Sequence, residues 1–144
     1  MYRGVPRLGA YEKAVSRLKM PLCYNGNLFS IADYKRITQR FPDTDCFMYG
    51  RGLITNPGLV SEIRDGVQPG KAVLRQFHDC LLEEYKELLS GERNVLFRMK
   101  ELWSYMAVSF TNYEKYAKKI KKSQHLSDYQ AAVSSLFAEQ ELAD

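Results

Sequence analysis

Two short apolar runs, each ending in a glycine-bearing turn and separated by one helix-patterned stretch, constrain this chain more than any other feature. The first, Leu22-Cys23-Tyr24, stops at Asn25-Gly26-Asn27; the second, Cys46-Phe47-Met48-Tyr49, stops at Gly50-Arg51-Gly52. Neither alternates polar with apolar residues, the pattern of a parallel strand covered on both faces. Parallel neighbours need a crossover. Ile31, Tyr34 and Ile37 supply the buried face of a helix between the runs, opened by Ser30 with Asp33 three residues on and ended by Phe41-Pro42-Asp43. An earlier helix follows from Leu8, Tyr11, Val15 and Leu18 and breaks at Met20-Pro21.

After Asn56-Pro57 and a short helical stretch to Ile63, the segment Arg64 to Gly70 is rich in turn residues and has no period. A domain boundary is expected there, dividing residues 1–66 from 67–144. Beyond it the pattern is wholly helical. Val73, Leu74, Phe77, Leu81, Tyr85, Leu88 and Leu89 mark a long amphipathic helix closed by Gly91. Val95, Leu96, Met99, Leu102, Trp103 and Met106 mark a second, and Tyr113, Tyr116, Ala117 and Ile120 a third. Tyr129, Val133 and Phe137 mark a fourth, opened by Ser127. The expected fold class is α/β followed by all-α: a partial (β/α)8 TIM barrel, its last two βα units, then a C-terminal helical bundle. With 144 residues the chain is well short of a whole barrel at roughly 250.

Composition excludes some classes. Hydrophobic residues make up 45% and charged residues 26%, ordinary for a globular protein, and no apolar stretch approaches the roughly 20 residues of a membrane span. No secretory signal is visible, so the cytoplasm is expected. Cys23, Cys46 and Cys80 form no Cys-x-x-Cys pair and read as reduced, mostly buried thiols. His78 and His125 lack metal-spaced partners and read as surface or capping residues, so no metal site is expected. The net charge of +4 is mild, but Lys115, Lys118, Lys119, Lys121 and Lys122 fall in one segment opposed only by Glu114. Lys115, Lys118, Lys119 and Lys122 form a stripe opposite Tyr113, Tyr116 and Ile120, able to meet successive phosphates or to be merely a solvated helix face.

The glycines suggest chemistry. A phosphate needs several N–H donors converging on it, and Gly26, Gly50 and Gly52 let the backbone approach closely while Arg51 adds a forked cationic donor. Taken singly, Asn25-Gly26 also fits a tight turn between antiparallel strands, and Gly50-Arg51-Gly52 an exposed bend. Both turns, however, lie one βα unit apart at equivalent ends of two strands, where barrels of this kind build phosphate sites.

Pro21-Leu22-Cys23-Tyr24-Asn25-Gly26-Asn27-Leu28 resembles a family segment ending in Asn-Gly-Asp-Ile. Asp45-Cys46-Phe47-Met48-Tyr49-Gly50-Arg51-Gly52-Leu53 with Asn56-Pro57 resembles that family's Asp-Gly-x-Met-Ile-Gly-Arg-Gly-Ala…Asn-Pro segment. The family is that of the tRNA-dihydrouridine synthases. Tyr2-Arg3-Gly4 resembles its Tyr-x-Gly, and Arg98-Met99-Lys100-Glu101-Leu102 its Arg-x-Lys-His-Leu, with Glu101 replacing the histidine and Ser104 standing where an aromatic is common.

The resemblance implies the C-terminal part of an FMN-dependent oxidoreductase that reduces uridine of tRNA to 5,6-dihydrouridine, with NADPH or NADH as reductant. It implies that Asn25, Gly26, Asn27, Gly50, Arg51 and Gly52 hold the FMN phosphate, Asn27 standing in for an aspartate. It further implies that Arg98, Lys100, Lys115, Lys118, Lys119 and Lys122 face tRNA. The family's proton-donating cysteine belongs to an earlier strand, and none of the three cysteines here matches its context, so no catalytic residue is expected in this chain. The competing readings are another FMN or sugar-phosphate barrel and a non-enzymatic RNA-binding module. Uncovered strand edges and one uncovered sheet face predict weak stability, self-association or dependence on the rest of a barrel for the chain alone.

Overall fold

The computed structural model describes residues 4–143, so Tyr2 and Arg3 of the Tyr-x-Gly resemblance lie outside the described residues. Helix α1 (Leu8–Arg17) leads to strand β1 (Cys23–Tyr24), and α2 (Ile31–Arg40) leads to β2 (Cys46–Phe47). The strands are parallel neighbours with Cys23 opposite Cys46 and Tyr24 opposite Phe47, so α2 is a crossover. That disposes of the antiparallel-hairpin reading of Asn25-Gly26. Helix α2 starts as its sequence dictates: the Ser30 hydroxyl accepts the Asp33 N–H at 3.1 Å, and the Asp33 carboxylate accepts the Phe29 N–H at 3.0 Å.

Side chains alternate across a strand, and here only one face is covered. Tyr24 turns toward the helices and is buried with Leu28, Ile37 and Phe41. The Tyr11 ring meets those of Tyr24 and Phe41 edge-on at 5.0 and 5.1 Å. Cys23 and Cys46 point the other way and are exposed, and Met48 is 53% exposed. The run pattern suggests strands covered on both faces, but one face is open, as expected of two βα units standing alone. The expectation of buried thiols is wrong, since Cys80 on the outside of the next long helix is exposed too. An apolar run without alternation reports strand tendency, but coverage depends on what packs above it, and no described element lies over this face.

Beyond β2 come α3 (Arg51–Thr55) and α4 (Leu59–Asp65), the latter closed by Gly66 in the left-handed region at φ 72°. Then α5 (Lys71–Leu88), α6 (Glu92–Met106), a 3-10 turn (Ala107–Ser109), α7 (Glu114–Lys122) and α8 (Leu126–Glu139) enclose a second, larger core around Met99, Trp103, Tyr116, Tyr129 and Leu136. Helix α3 lies against α6, and the Ser109 hydroxyl donates to the Thr55 carbonyl at 2.8 Å. Helix α8 has its N-cap at His125, two residues before the expected Ser127, and the Glu92 carboxylate of α6 accepts the Leu126 N–H, capping the helix from outside it.

Candidate phosphate site and cationic helix face

The two glycine turns meet. The Arg51 guanidinium, through Nη2, donates to Asn27 Oδ1 at 2.8 Å and lies 5.7 Å from the centre of the Phe29 ring. Asparagine at position 27 orients the guanidinium without adding a carboxylate, so it does not neutralise the charge an anion would meet. Gly52 is buried against the first turn: a Cβ there would sit 2.0 Å from the Leu28 carbonyl oxygen and 3.2 Å from Leu59 Cδ2. Only glycine lets α3 seat this close to the loop after β1.

Gly50 is the opposite case, since a Cβ there would meet nothing within 4 Å. Its outer side is open to whatever approaches the turn. Gly26 lies over the buried Tyr24, whose hydroxyl would be 2.3 Å from an added Cβ. Asn25 is exposed and shares a hollow with Arg7 and Tyr11 rather than with Arg51. A forked cation, two abutting backbone turns and an open glycine are a donor set that fits a phosphate ester.

Behind α3 the chain is held by Asn56, whose amide donates to Glu62 Oε2 at 2.8 Å while its oxygen accepts the Gly58 N–H at 3.0 Å. This explains Asn56-Pro57 structurally: the asparagine closes the turn into α4 and satisfies a buried carboxylate. A cavity of about 230 Å³ opens beside it between Phe29, Leu74 and Ser109.

On α7, Lys118, Lys119 and Lys122 are exposed, and Lys119 and Lys122 border a hollow with Asp128. Lys115 bends away from the stripe: its ammonium lies 4.6 Å from the Tyr116 ring centre and 3.6 Å from the Glu139 carboxylate. On α6, Arg98 pairs with Glu101 at 3.1 Å. The Lys100 ammonium donates to the carbonyl of Ser123 at the end of α7, where a cation is favoured.

A family model described as dihydrouridine synthase matches residues 10–143. The chain belongs to the dihydrouridine synthase family. Membership carries the general activity, tRNA-dihydrouridine synthesis by a flavin-dependent oxidoreductase acting on tRNA. No curated protein matches the chain. Among the described residues of this dihydrouridine synthase chain, no helix is long and apolar enough to cross a membrane.

One cluster in this family member escaped the sequence reading. His78 is buried, not a surface or capping residue. Its Nε2 lies 2.7 Å from the Tyr129 hydroxyl and its Nδ1 2.8 Å from Asp79 Oδ1, while Trp103 Nε1 donates to the same hydroxyl at 2.6 Å. Asp79 also accepts from Arg75 at 2.8 Å. Burial lowers the His78 pKa against the opposing pull of Asp79. Burial pushes Asp79 up, but its hydrogen bonds with Arg75 and His78 outweigh that and hold it below the usual carboxylate range. A signal was available: His78 falls on the stripe of Leu74, Leu81 and Tyr85, and Arg75 and Asp79 are spaced i, i+4. His125 does stand at the start of α8, exposed, with its ring 4.0 Å from the Glu92 carboxylate.

Proposed function

We propose that this chain carries the phosphate-binding end of an FMN barrel together with a helical domain that lies against tRNA. In this reading residues 1–66 supply two βα units of the barrel and residues 67–144 the helical domain. Gly26, Asn27, Gly50, Arg51 and Gly52 hold the FMN phosphate, while Asn25, which opens on the hollow beside Arg7 and Tyr11, stands outside it. Lys118, Lys119 and Lys122 face the RNA directly, and Arg98, Lys100 and Lys115, held by Glu101, the Ser123 carbonyl and Glu139, add positive charge beside them. The observation that supports the site most is the joining of the two turns, through the Arg51 to Asn27 hydrogen bond and the seating of Gly52 on the Leu28 carbonyl.

When bound, FMN supplies hydride to the uracil ring of a chosen uridine and is recharged by NADPH or NADH. The chain's own contribution is positional. Gly50 and Gly52 bring backbone N–H groups within reach of the phosphate, Arg51 adds charge and a planar donor fork, and Asn27 fixes the direction of that fork. Exposed lysines on α7 meet RNA phosphates without reading sequence. Cys23, Cys46 and Cys80 take no part in proton transfer. The setting is the cytoplasm.

Titration of the chain with FMN and with riboflavin, followed by flavin fluorescence, tests the phosphate site. FMN is expected to bind at least tenfold more tightly than riboflavin, and Arg51→Gln to remove most of that difference. Equal binding of the two flavins by the unaltered chain rules the site out.

A further inference from the structure

Phe97 stands apart from every other aromatic residue described. It is 68% exposed, whereas the remaining aromatic side chains among the described residues are buried or half-buried. Leu96, Trp103 and Ile120 beside it are buried, and the hollow that Phe97 shares with Trp103, Ala117 and Ile120 adds only a small apolar area to the ring. Such a ring is a poor site for an apolar peptide, which needs contiguous area.

Its surroundings are cationic. Phe97 lines two hollows, one with Arg93, Lys100, His125 and Glu92 and the other with Lys100, Lys121 and Glu101. Arg93 precedes it by one helical turn on α6, and Lys121 of α7 lines the second hollow with it. The acids nearby are engaged: the Glu92 carboxylate accepts the Leu126 N–H, and Glu101 is paired with Arg98. Among the described residues no carboxylate lies within ion-pair distance of Arg93 or Lys121. The Lys100 ammonium is anchored on the Ser123 carbonyl, and Lys100 lines both hollows.

We infer that Phe97 is a stacking platform for an unpaired base of RNA, with Arg93 and Lys121 holding the phosphates on either side. A flat ring open to solvent and flanked by separated cations is the arrangement by which proteins take single-stranded nucleic acid: the base covers the ring while the backbone follows the charges. The platform is distinct from the lysine stripe of α7, and it adds a requirement that the stripe lacks. A duplex satisfies phosphate contacts alone, whereas Phe97 requires a base free to unstack. The inference rests on the RNA-facing reading of the helical domain.

The test uses the full chain with an unmodified tRNA transcript and a single-stranded oligoribonucleotide carrying one 2-aminopurine. Phe97→Ala and Phe97→Leu each weaken binding about tenfold, the loss of one base–aromatic stack, while leaving the salt dependence unchanged. Phe97→Trp keeps the affinity. Arg93→Ala and Lys121→Ala each reduce the salt slope by about one. The 2-aminopurine quench seen with the unaltered chain disappears in Phe97→Ala, and thermal unfolding of that variant matches the unaltered chain because the ring is exposed.

If Phe97→Ala binds RNA as well as the unaltered chain while α7 lysine variants bind less well, the platform is overturned and the RNA-facing domain stands. Absence of RNA binding by the unaltered chain overturns both. A dimer seen by sedimentation that Phe97→Ala dissolves also overturns the platform, in favour of a second copy of the chain.

Discussion

His78 shows how a single buried residue is fixed by the hydrogen-bond inventory of its partners. Trp103 Nε1–H is a donor only, so the Tyr129 oxygen accepts from it at 2.6 Å. The Tyr129 proton is then given to His78 Nε2, and the ring proton resides on Nδ1, donated to Asp79. Protonating His78 places a hydrogen on Nε2 facing the Tyr129 hydroxyl and leaves the hydroxyl proton without an acceptor in a buried place. This agrees in sign with the pKa lowered by burial. Because the folded state binds this proton less readily than the unfolded chain, the contribution is present above the ordinary histidine pKa and is lost as pH falls below it. Urea unfolding is expected to show stability falling between about pH 7 and pH 5, with His78→Gln flattening that window. Tyr129→Phe, which orphans the Trp103 N–H, is expected to cost about 1–3 kcal/mol. A wild-type curve flat across the window refutes the assignment.

At the scale of elements, what the sequence revealed depended on whether the deciding contact was local. The start of α2 was legible because its cap is self-contained: Ser30 and Asp33 satisfy N–H groups within their own turn. Ser30→Ala is therefore expected to destabilise the chain by about 1 kcal/mol, and Ser30→Asp to retain most of the stability, as measured by chemical denaturation. An unchanged midpoint for Ser30→Ala refutes this. The start of α8 lies two residues before the Ser127 that its sequence suggests, because the group that caps it, Glu92, is 34 positions away in sequence. The same reason hid the burial of His78, whose partner Tyr129 is 51 positions distant. In the phosphate turns, glycine spacing pointed to Gly50, Arg51 and Gly52. That Gly52 serves seating on Leu28 while Gly50 serves access emerges only when the two turns are placed together. Lys100 and Lys115 share the limitation: spacing put them on cationic faces, but long side chains are directed by tertiary partners, here the Ser123 carbonyl and Glu139.

For the whole molecule the consequential feature is the open face of the two-stranded sheet. A βα unit buries one face of its strand under its helix, and the other face awaits further strands. Cys23 and Cys46 sit opposite each other on that open face. The Cys23 thiol is pushed up, first by its hydrogen bond with Cys46 and then by desolvation, so less of it is the reactive thiolate at a given pH. In dilute solution all three cysteines are expected to react with a disulfide reagent without denaturant, with Cys46→Ala speeding the labelling of Cys23. If copies of the chain cover one another's open faces, as unpaired parallel edges favour, raising protein concentration slows labelling at Cys23 and Cys46 while Cys80, on the outer side of α5, keeps its rate. Slowing at Cys80 in step with the other two points to general aggregation instead. Rates at Cys23 and Cys46 that stay constant with concentration show that the sheet face remains open and that self-association does not occur through it.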